Sequence, residues 1–428
     1  MKTGVLLALP EKLEVALIRQ LSAPGSSAEV VRRCADIPEV LAAAGAGIAT
    51  LAVIRDELAD RQLVAQLRDL GCRTLVVAAD PPALTRSSAL GAAAAEPAGS
   101  ATALAETIER LAGPEGEQGA ELPAEPPALV AGEDETLVAE EPGSVSGRVI
   151  AVWGPPGAPG RTSVAVNLAH ALADIGESAA PVILADADTQ APSVAQTLGI
   201  LADSSAIAAV SRLAGTGRLE PQSLLRACPS LGERLHVMTG LTRAARWREL
   251  PAAALDTVWE VARAAAAWTV IDIGSALDEP DEGMPSYGGK RHEATMSALE
   301  GADTVVIVGA GDPTGVRRLV AALAEAEDAG LAFDERVVVV NRVRASASGG
   351  PPKRTVHEAL ARFAGVEDAI LVPEDGPVYD RAMLEGRALS EVAPDSAAWQ
   401  GIELLAARLA GERRRRRRRR GLLARAQP

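Results

Sequence analysis

Gly154-Pro155-Pro156-Gly157-Ala158-Pro159-Gly160-Arg161-Thr162-Ser163 is the stretch whose reading decides how this chain folds. An apolar, strand-like run over 149–153 precedes it, and a helical pattern over 164–169 follows. A glycine-rich turn between a buried strand and a helix is the layout of a phosphate-binding loop. Backbone N–H groups at the helix N-terminus converge on an anion, glycines permit close approach, a lysine reaches the outer phosphates, and a hydroxyl binds Mg²⁺. Gly157 and Gly160 supply the turns and Thr162 the hydroxyl, with Ser163 next in line. Arg161 stands where the lysine belongs and keeps its charge in a larger, planar group. Pro155 occupies the position of the first glycine, and Pro155, Pro156 and Pro159 have no N–H to donate. Taken alone, a Gly/Pro-rich strand-to-helix segment is more often a simple turn. The rest of the chain decides between the two readings.

At 428 residues the chain has room for two or three domains. Apolar residues make up 48% and aromatic residues 2%, so the cores must be built from Ala, Val, Leu and Ile. Lysine occurs only at Lys2, Lys12, Lys290 and Lys353, and none lies near the loop in sequence. Net charge is −14; without the eight consecutive arginines from Arg413 to Arg420 the remainder stands eight units lower, at −22. An acidic body argues against general nucleic-acid binding outside that basic tail. Cys34, Cys72 and Cys228 are few, scattered and odd in number, which fits a reducing compartment and no metal-site spacing. The apolar run at 4–9 is short for a secretory signal, and no run of about 18 apolar residues is present. The expectation is a cytoplasmic protein.

Four segments follow from the pattern. Residues 1–113 alternate short apolar strands (5–9, 48–54, 74–78) with helical stretches (13–21, 101–111), as in a small α/β domain. Residues 114–147 are rich in Glu, Pro, Gly and Ala without periodicity and read as an acidic, disordered linker. Residues 148–411 carry strand candidates at 148–153, 182–185, 235–238, 268–273, 304–308, 336–340 and 369–372, with helical patterns between most of them. That alternation predicts a doubly wound, mostly parallel sheet, with ligands bound at the carboxyl ends of the strands; the loop at 154–163 makes it one of P-loop NTPase type. Residues 412–428 form the arginine-rich tail, read as solvated and disordered when free.

The strand ends carry chemistry. Asp186-Ala187-Asp188-Thr189-Gln190 follows the second strand of this segment, Asp272 ends the fourth, and Asn341-Arg342 follows the sixth. Any one of these is more often a cap or turn residue. Together they suit one nucleotide site. On these residues the chain resembles the ParA/MinD family of deviant P-loop ATPases. Within it the likeness is to CpaE-type proteins of Tad (Flp) pilus assembly, which join a degenerate receiver domain to a MinD-like domain. The family's Asp-x-Asp-x-Gln motif is matched by Asp186, Asp188 and Gln190, and its Walker B aspartate by Asp272. Its Asn-Arg, associated with adenine recognition, is matched by Asn341 and Arg342. Its signature lysine and second loop lysine are replaced by Pro156 and Arg161. In the N-terminal segment the receiver's acidic pair is replaced by Leu9-Pro10-Glu11, its phosphoacceptor by Ile54-Arg55 with Asp56 slightly late, and its lysine by Glu96.

The resemblance implies ATP and Mg²⁺ as cofactors. Thr162, Asp186 and Asp272 would organise the metal and Asp188 the attacking water, while Gly157, Gly160, Arg161, Thr162, Ser163, Asn341 and Arg342 would hold the nucleotide. It also implies a homodimer on nucleotide, partners in a pilus or secretion machine or at the cell pole, and weak or absent hydrolysis, since losing a cation at the transferring phosphoryl group costs several kcal/mol. Lys290, Arg291, Arg243 and Arg246 are the replacement cations suggested by charge. Two alternatives stand beside this reading: a non-hydrolysing pseudo-ATPase scaffold, and a ParA-like partitioning factor on DNA. The arginine tail could meet anionic lipid at the inner face of the membrane, nucleic acid or the acidic linker, with lipid preferred.

Overall fold

The computed structural model describes residues 2–113, 147–157, 159–175, 180–201, 203–277, 290–331, 335–348 and 350–424, with side chains as far as 411. The expected acidic linker and most of the polar loop expected at 278–290 lie outside the described residues. The chain divides into two compact units.

The first unit is a parallel sheet of β1 (Thr3–Ala8), β2 (Ala28–Arg33), β3 (Leu51–Arg55), β4 (Arg73–Ala78) and β5 (Ala94–Pro97), in the order β2-β1-β3-β4-β5. Parallel strands need helical crossovers, which cover both faces of the sheet. Leu17, Leu104 and Ile108 pack against Val5, Leu7 and Leu51 on one side. Val40, Leu63 and Leu67 pack against Leu6, Ala52 and Ile54 on the other. No aromatic residue occurs anywhere in 1–113. Helix starts are fixed by Asp36, Asp60, Asp80 and Ser100, each accepting the N–H three residues on. β2 was not expected from the sequence. It is an edge strand with four residues of Ala-Glu-Val-Val-Arg-Arg exposed, so it shows no apolar run. Asp56 lies in the turn after β3 and donates its N–H to the Val77 carbonyl. Glu96, within β5, accepts from the Thr107 hydroxyl at 2.8 Å.

The second unit is built on β6 (Arg148–Trp153), β7 (Val182–Asp186), β8 (Ser230–Leu231), β9 (Leu235–Met238), β10 (Trp268–Asp272), β11 (Thr304–Ala310), β12 (Arg336–Val343) and β13 (Ile370–Pro373). Their order is β13-β12-β11-β6-β10-β7-β9-β8, and only β8 runs antiparallel to its neighbour. The doubly wound, mostly parallel sheet expected from the sequence is present. The helix Arg161–Ile175 is apolar nearly all round because it is enclosed, with Val164, Leu168 and Leu172 in one core with Trp399, Ile402 and Leu405 of the helix Ala397–Ala424. The opposite face is covered by the helices Ala252–Ala265, Pro313–Asp328 and Pro352–Ala364, with Trp259 fully buried.

Two expectations are corrected. Asn341 and Arg342 lie inside β12 rather than beyond it. The strand's pairing with β13 shifts between Val340 and Val343, and Arg342 takes φ +56°, so the strand continues through an irregularity. The arginine run was expected to be disordered; its backbone continues the helix Ala397–Ala424, whose first turns are anchored on the sheet by Trp399, Ile402 and Leu409. The arginine side chains lie outside the described residues.

Candidate functional site

β6 sits centrally, between β11 and β10, and its carboxyl end delivers the loop. Register does the rest: Asp272, last in β10, pairs with Val152 of β6 and with Asp186, last in β7. Two carboxylates therefore stand level at adjacent strand ends, beside the start of the helix Arg161–Ile175.

Gly157 and Gly160 have φ of +104° and +96°, values that L side chains rarely adopt. Space excludes a side chain as well. A Cβ on Gly160 would overlap Nδ2 of Asn341, and one on Gly157 would overlap Nη1 of Arg318. Asn341 is 2% exposed; its Nδ2 donates to the Pro159 carbonyl at 3.0 Å, and its Oδ1 accepts the Arg342 N–H at 2.9 Å. Asn341 thus tethers the loop to β12. Arg342 is exposed and points its backbone, not its side chain, into this arrangement. Asn167 makes a second tether, donating to the Ser163 carbonyl and accepting the Leu389 N–H, each at 2.8 Å.

Arg161 turns back on its own loop. Its Nη1 donates to the carbonyls of Gly154 (3.2 Å) and Pro155 (3.1 Å), and its Nη2 faces Asp188 Oδ2 at 3.8 Å. Asp188 Oδ1 accepts the N–H groups of Gln190 and Ala191 at 2.8 and 3.0 Å. Asp186 is committed to the same turn: Oδ2 accepts from the N–H groups of Ser193 and Val194, and Oδ1 from Asp188. The Thr162 hydroxyl donates to Asp272 Oδ2 at 2.6 Å and lies 3.3 Å from the Ser193 hydroxyl. Asp272 Oδ1 is buried without a hydrogen-bond partner among the described residues.

Burial dominates the electrostatics. It raises the Asp186 carboxyl to about 7, with the neighbouring Asp188 charge adding to it, against the lowering effect of the backbone N–H groups. Burial also raises Asp272 well above the ordinary carboxylate range, reinforced by Asp186 and opposed by the Thr162 hydroxyl and Arg161. A buried carboxylate oxygen with no donor is a place where a cation would be welcome. Among the described residues no three acidic, His or Cys side chains converge as a preformed metal cluster. The donors that fit Mg²⁺ are Asp272 Oδ1 and the Thr162 hydroxyl, with Ser193 beside them; such an ion commonly keeps waters and takes its other oxygens from a bound phosphate.

The structure therefore gathers Gly157, Gly160, Arg161, Thr162, Asp186, Asp188, Asp272 and Asn341 around one strand-end cradle. Of the suggested replacement cations, Arg246 pairs with Glu249, and Arg291 donates to the Ala244 carbonyl while its own carbonyl accepts from Thr189. The Lys290 N–H caps onto Glu293. Sequence reasoning missed Ser193 and Arg318. Ser193 was legible in principle as the residue preceding the short helix Val194–Thr197. Arg318 carried no signal, because only the packing of the helix Pro313–Asp328 brings it to the loop.

No protein-family profile matches the sequence, and no curated relative matches it. Solved structures do match. A ParA family ATPase from Chlorobium tepidum TLS superposes with a TM-score of 0.51 at 18% identity, over 61% of this chain and 98% of that one. The cell division ATPase MinD of Pyrococcus furiosus gives 0.48 at 19% identity, over 62% and 99%. The septum site-determining protein MinD of Pyrococcus horikoshii OT3, complexed with Mg-ADP, gives 0.47 at 19%, over 61% and 95%. The structural neighbours are ATPases of the ParA/MinD family, and at this identity the first of them establishes the fold alone.

Proposed function

We propose that the C-terminal unit binds magnesium–ATP in this cradle. In this reading the chain is a MinD/CpaE-like positioning or assembly factor for a pilus or secretion machine, with weak or absent hydrolysis. The observation that carries nucleotide binding is the Thr162–Asp272 pair at the mouth of a glycine loop, with Asp272 Oδ1 buried and unpartnered among the described residues. Bound Mg²⁺ would neutralise charge between the outer phosphates. Thr162 and Asp272 would hold it, Asp186 would shape the turn that carries Ser193, and Asp188 would orient a water with the oxygen not engaged by the Gln190 and Ala191 N–H groups. The loop N–H groups at the start of the helix Arg161–Ile175 would meet the phosphate oxygens. Arg161 favours slow turnover, because its guanidinium is bound to loop carbonyls and to Asp188.

That same observation supports the second reading, a pseudo-ATPase scaffold that binds nucleotide without hydrolysing it. Nucleotide would act through a homodimer. The first unit, whose strand order is that of receivers and flavodoxins, would serve as a receiver-like docking module without phosphotransfer chemistry. The arginine tail would add contact with anionic lipid; among the described residues no helix is long and apolar enough to cross a membrane. Isothermal titration of the full chain with Mg·ATP checks the nucleotide reading. A saturable heat is expected, with affinity lowered about 10-fold or more in Thr162→Val, the size expected for one charge-assisted contact. Absence of any heat from the wild type at millimolar nucleotide would sink it. Phosphate release no faster than in Asp188→Ala selects the scaffold.

A further inference from the structure

The loop lacks both lysines, and Arg161 is engaged with its own loop, yet one guanidinium lies over the loop from outside. We infer that Arg318 is a phosphate-binding residue: it supplies, from the helix Pro313–Asp328, the cation that contacts the outer phosphoryl oxygens of an anion held in the loop. The inference rests on the nucleotide reading above and names a residue that no motif contains.

Four observations carry it. First, a Cβ on Gly157 would overlap Nη1 of Arg318 and come within 3.2 Å of its Cζ, so the guanidinium lies directly against the open face of this glycine. Second, Arg318 has no hydrogen bond or ion pair among the described residues, although the chain is strongly acidic and other arginines of this unit, Arg148, Arg263 and Arg344 among them, pair with carboxylates. Its side chain is exposed, so the charge stays hydrated and available to an incoming anion. Third, the direction is built in. Helical side chains lean towards the helix N-terminus, and this N-terminus, capped by Asp312, follows directly on the end of β11, the strand beside β6. Fourth, the loop's own guanidinium is already engaged: Nη2 of Arg161 faces the buried Asp188 carboxylate at 3.8 Å, so a second cation is needed for an incoming anion. A polyphosphate entering there meets repulsion that loop N–H groups only partly offset, and a second guanidinium with fork geometry matches phosphate oxygens. The adjacent Arg317 diverges from Arg318 and lines a separate cavity of about 470 Å³ with Val316, Val320 and Phe363.

The experiment is calorimetric titration of full-length wild type, Arg318→Ala and Arg318→Lys with Mg·ATP, and with pyrophosphate as competitor. Arg318→Ala is expected to weaken Mg·ATP about 10- to 100-fold, and Arg318→Lys less, as befits a charged contact to phosphate. Pyrophosphate should displace Mg·ATP from the wild type and fail to do so in Arg318→Ala at the same concentration. The melting temperature without ligand should be unchanged in Arg318→Ala, since the side chain has no partner to lose, whereas a structural role would lower it. Equal Mg·ATP affinity in wild type and Arg318→Ala overturns the assignment and leaves the nucleotide reading standing. Failure of the wild type itself to bind overturns both.

Discussion

Asp272 sits 1% exposed at the end of β10, one oxygen held by Thr162 and the other by no described residue, with Asp186 level beside it. Both carboxyls are raised by burial, Asp186 to about 7. The native state therefore holds protons that the unfolded chain releases near pH 4. The stability this proton binding contributes is complete below that value; the part owed to Asp186 is lost as pH rises through about 7, and Asp272 acts in the same direction. Metal-free protein should accordingly lose roughly 1–3 kcal/mol of unfolding free energy between pH 5 and 8 by chemical denaturation. Asp272→Asn, with its amide oxygen towards Thr162, should lose less, and the two proteins should converge near pH 5. Asp186, Asp188 and Asp272 stood out from sequence only together, since singly each reads as a cap or turn residue. What could not be read was each oxygen's allegiance. Asp186 looked like a metal ligand, but three backbone N–H groups occupy it. Asn341 looked like a base-binding amide, but Pro159, 182 residues away in sequence, takes its donor.

The elements were more legible where they are buried. β6, β7, β9 and β10 were recognisable as apolar runs because both faces of a parallel sheet are covered. β2 was not, since an exposed edge imposes no apolar pattern. β12 overran its expected end because the polar pair Asn341-Arg342 breaks the apolar run before Val343, yet Asn341 ties the strand to the loop. Two predictions belong to elements. Asn341→Ala removes the tether between β12 and the loop and leaves the buried Pro159 carbonyl unpaired; it should cost about 1–3 kcal/mol in denaturant melts and weaken Mg·ATP in the same titration. Asp312→Ala removes the cap that holds the N–H of Gly315 and should cost about 1 kcal/mol. Because Arg318 is positioned by that helix, the same variant should also reduce affinity, by less than Arg318→Ala does.

At the scale of the molecule, the chain is two units with separate cores. The first is small and packed with Ala, Val, Leu and Ile; the second closes two larger cores over an eight-stranded sheet. Scanning calorimetry of the full chain should therefore resolve two transitions. At about 0.7 kcal/mol per residue near 60 °C, their enthalpies should be roughly 80 and 180 kcal/mol. Saturating Mg·ATP should raise the larger transition and leave the smaller one in place, since ligand stabilises only the unit that binds it. A single cooperative transition would contradict this division. The sheet order was not legible in the sequence, because strand order depends on which crossover passes which face.

The absence of aromatic side chains from 1–113 has a practical consequence for optical spectroscopy. The five tryptophans, at 153, 247, 259, 268 and 399, all belong to the second unit, and Trp153 immediately precedes the glycine loop with its indole N–H on the Ser275 carbonyl. Intrinsic fluorescence and near-ultraviolet absorbance thus report on the second unit and are blind to the first. Far-ultraviolet dichroism sees both. Denaturation curves from the two methods should fail to coincide, and the mismatch marks the range in which one unit is unfolded while the other remains folded, since fluorescence follows only one of them.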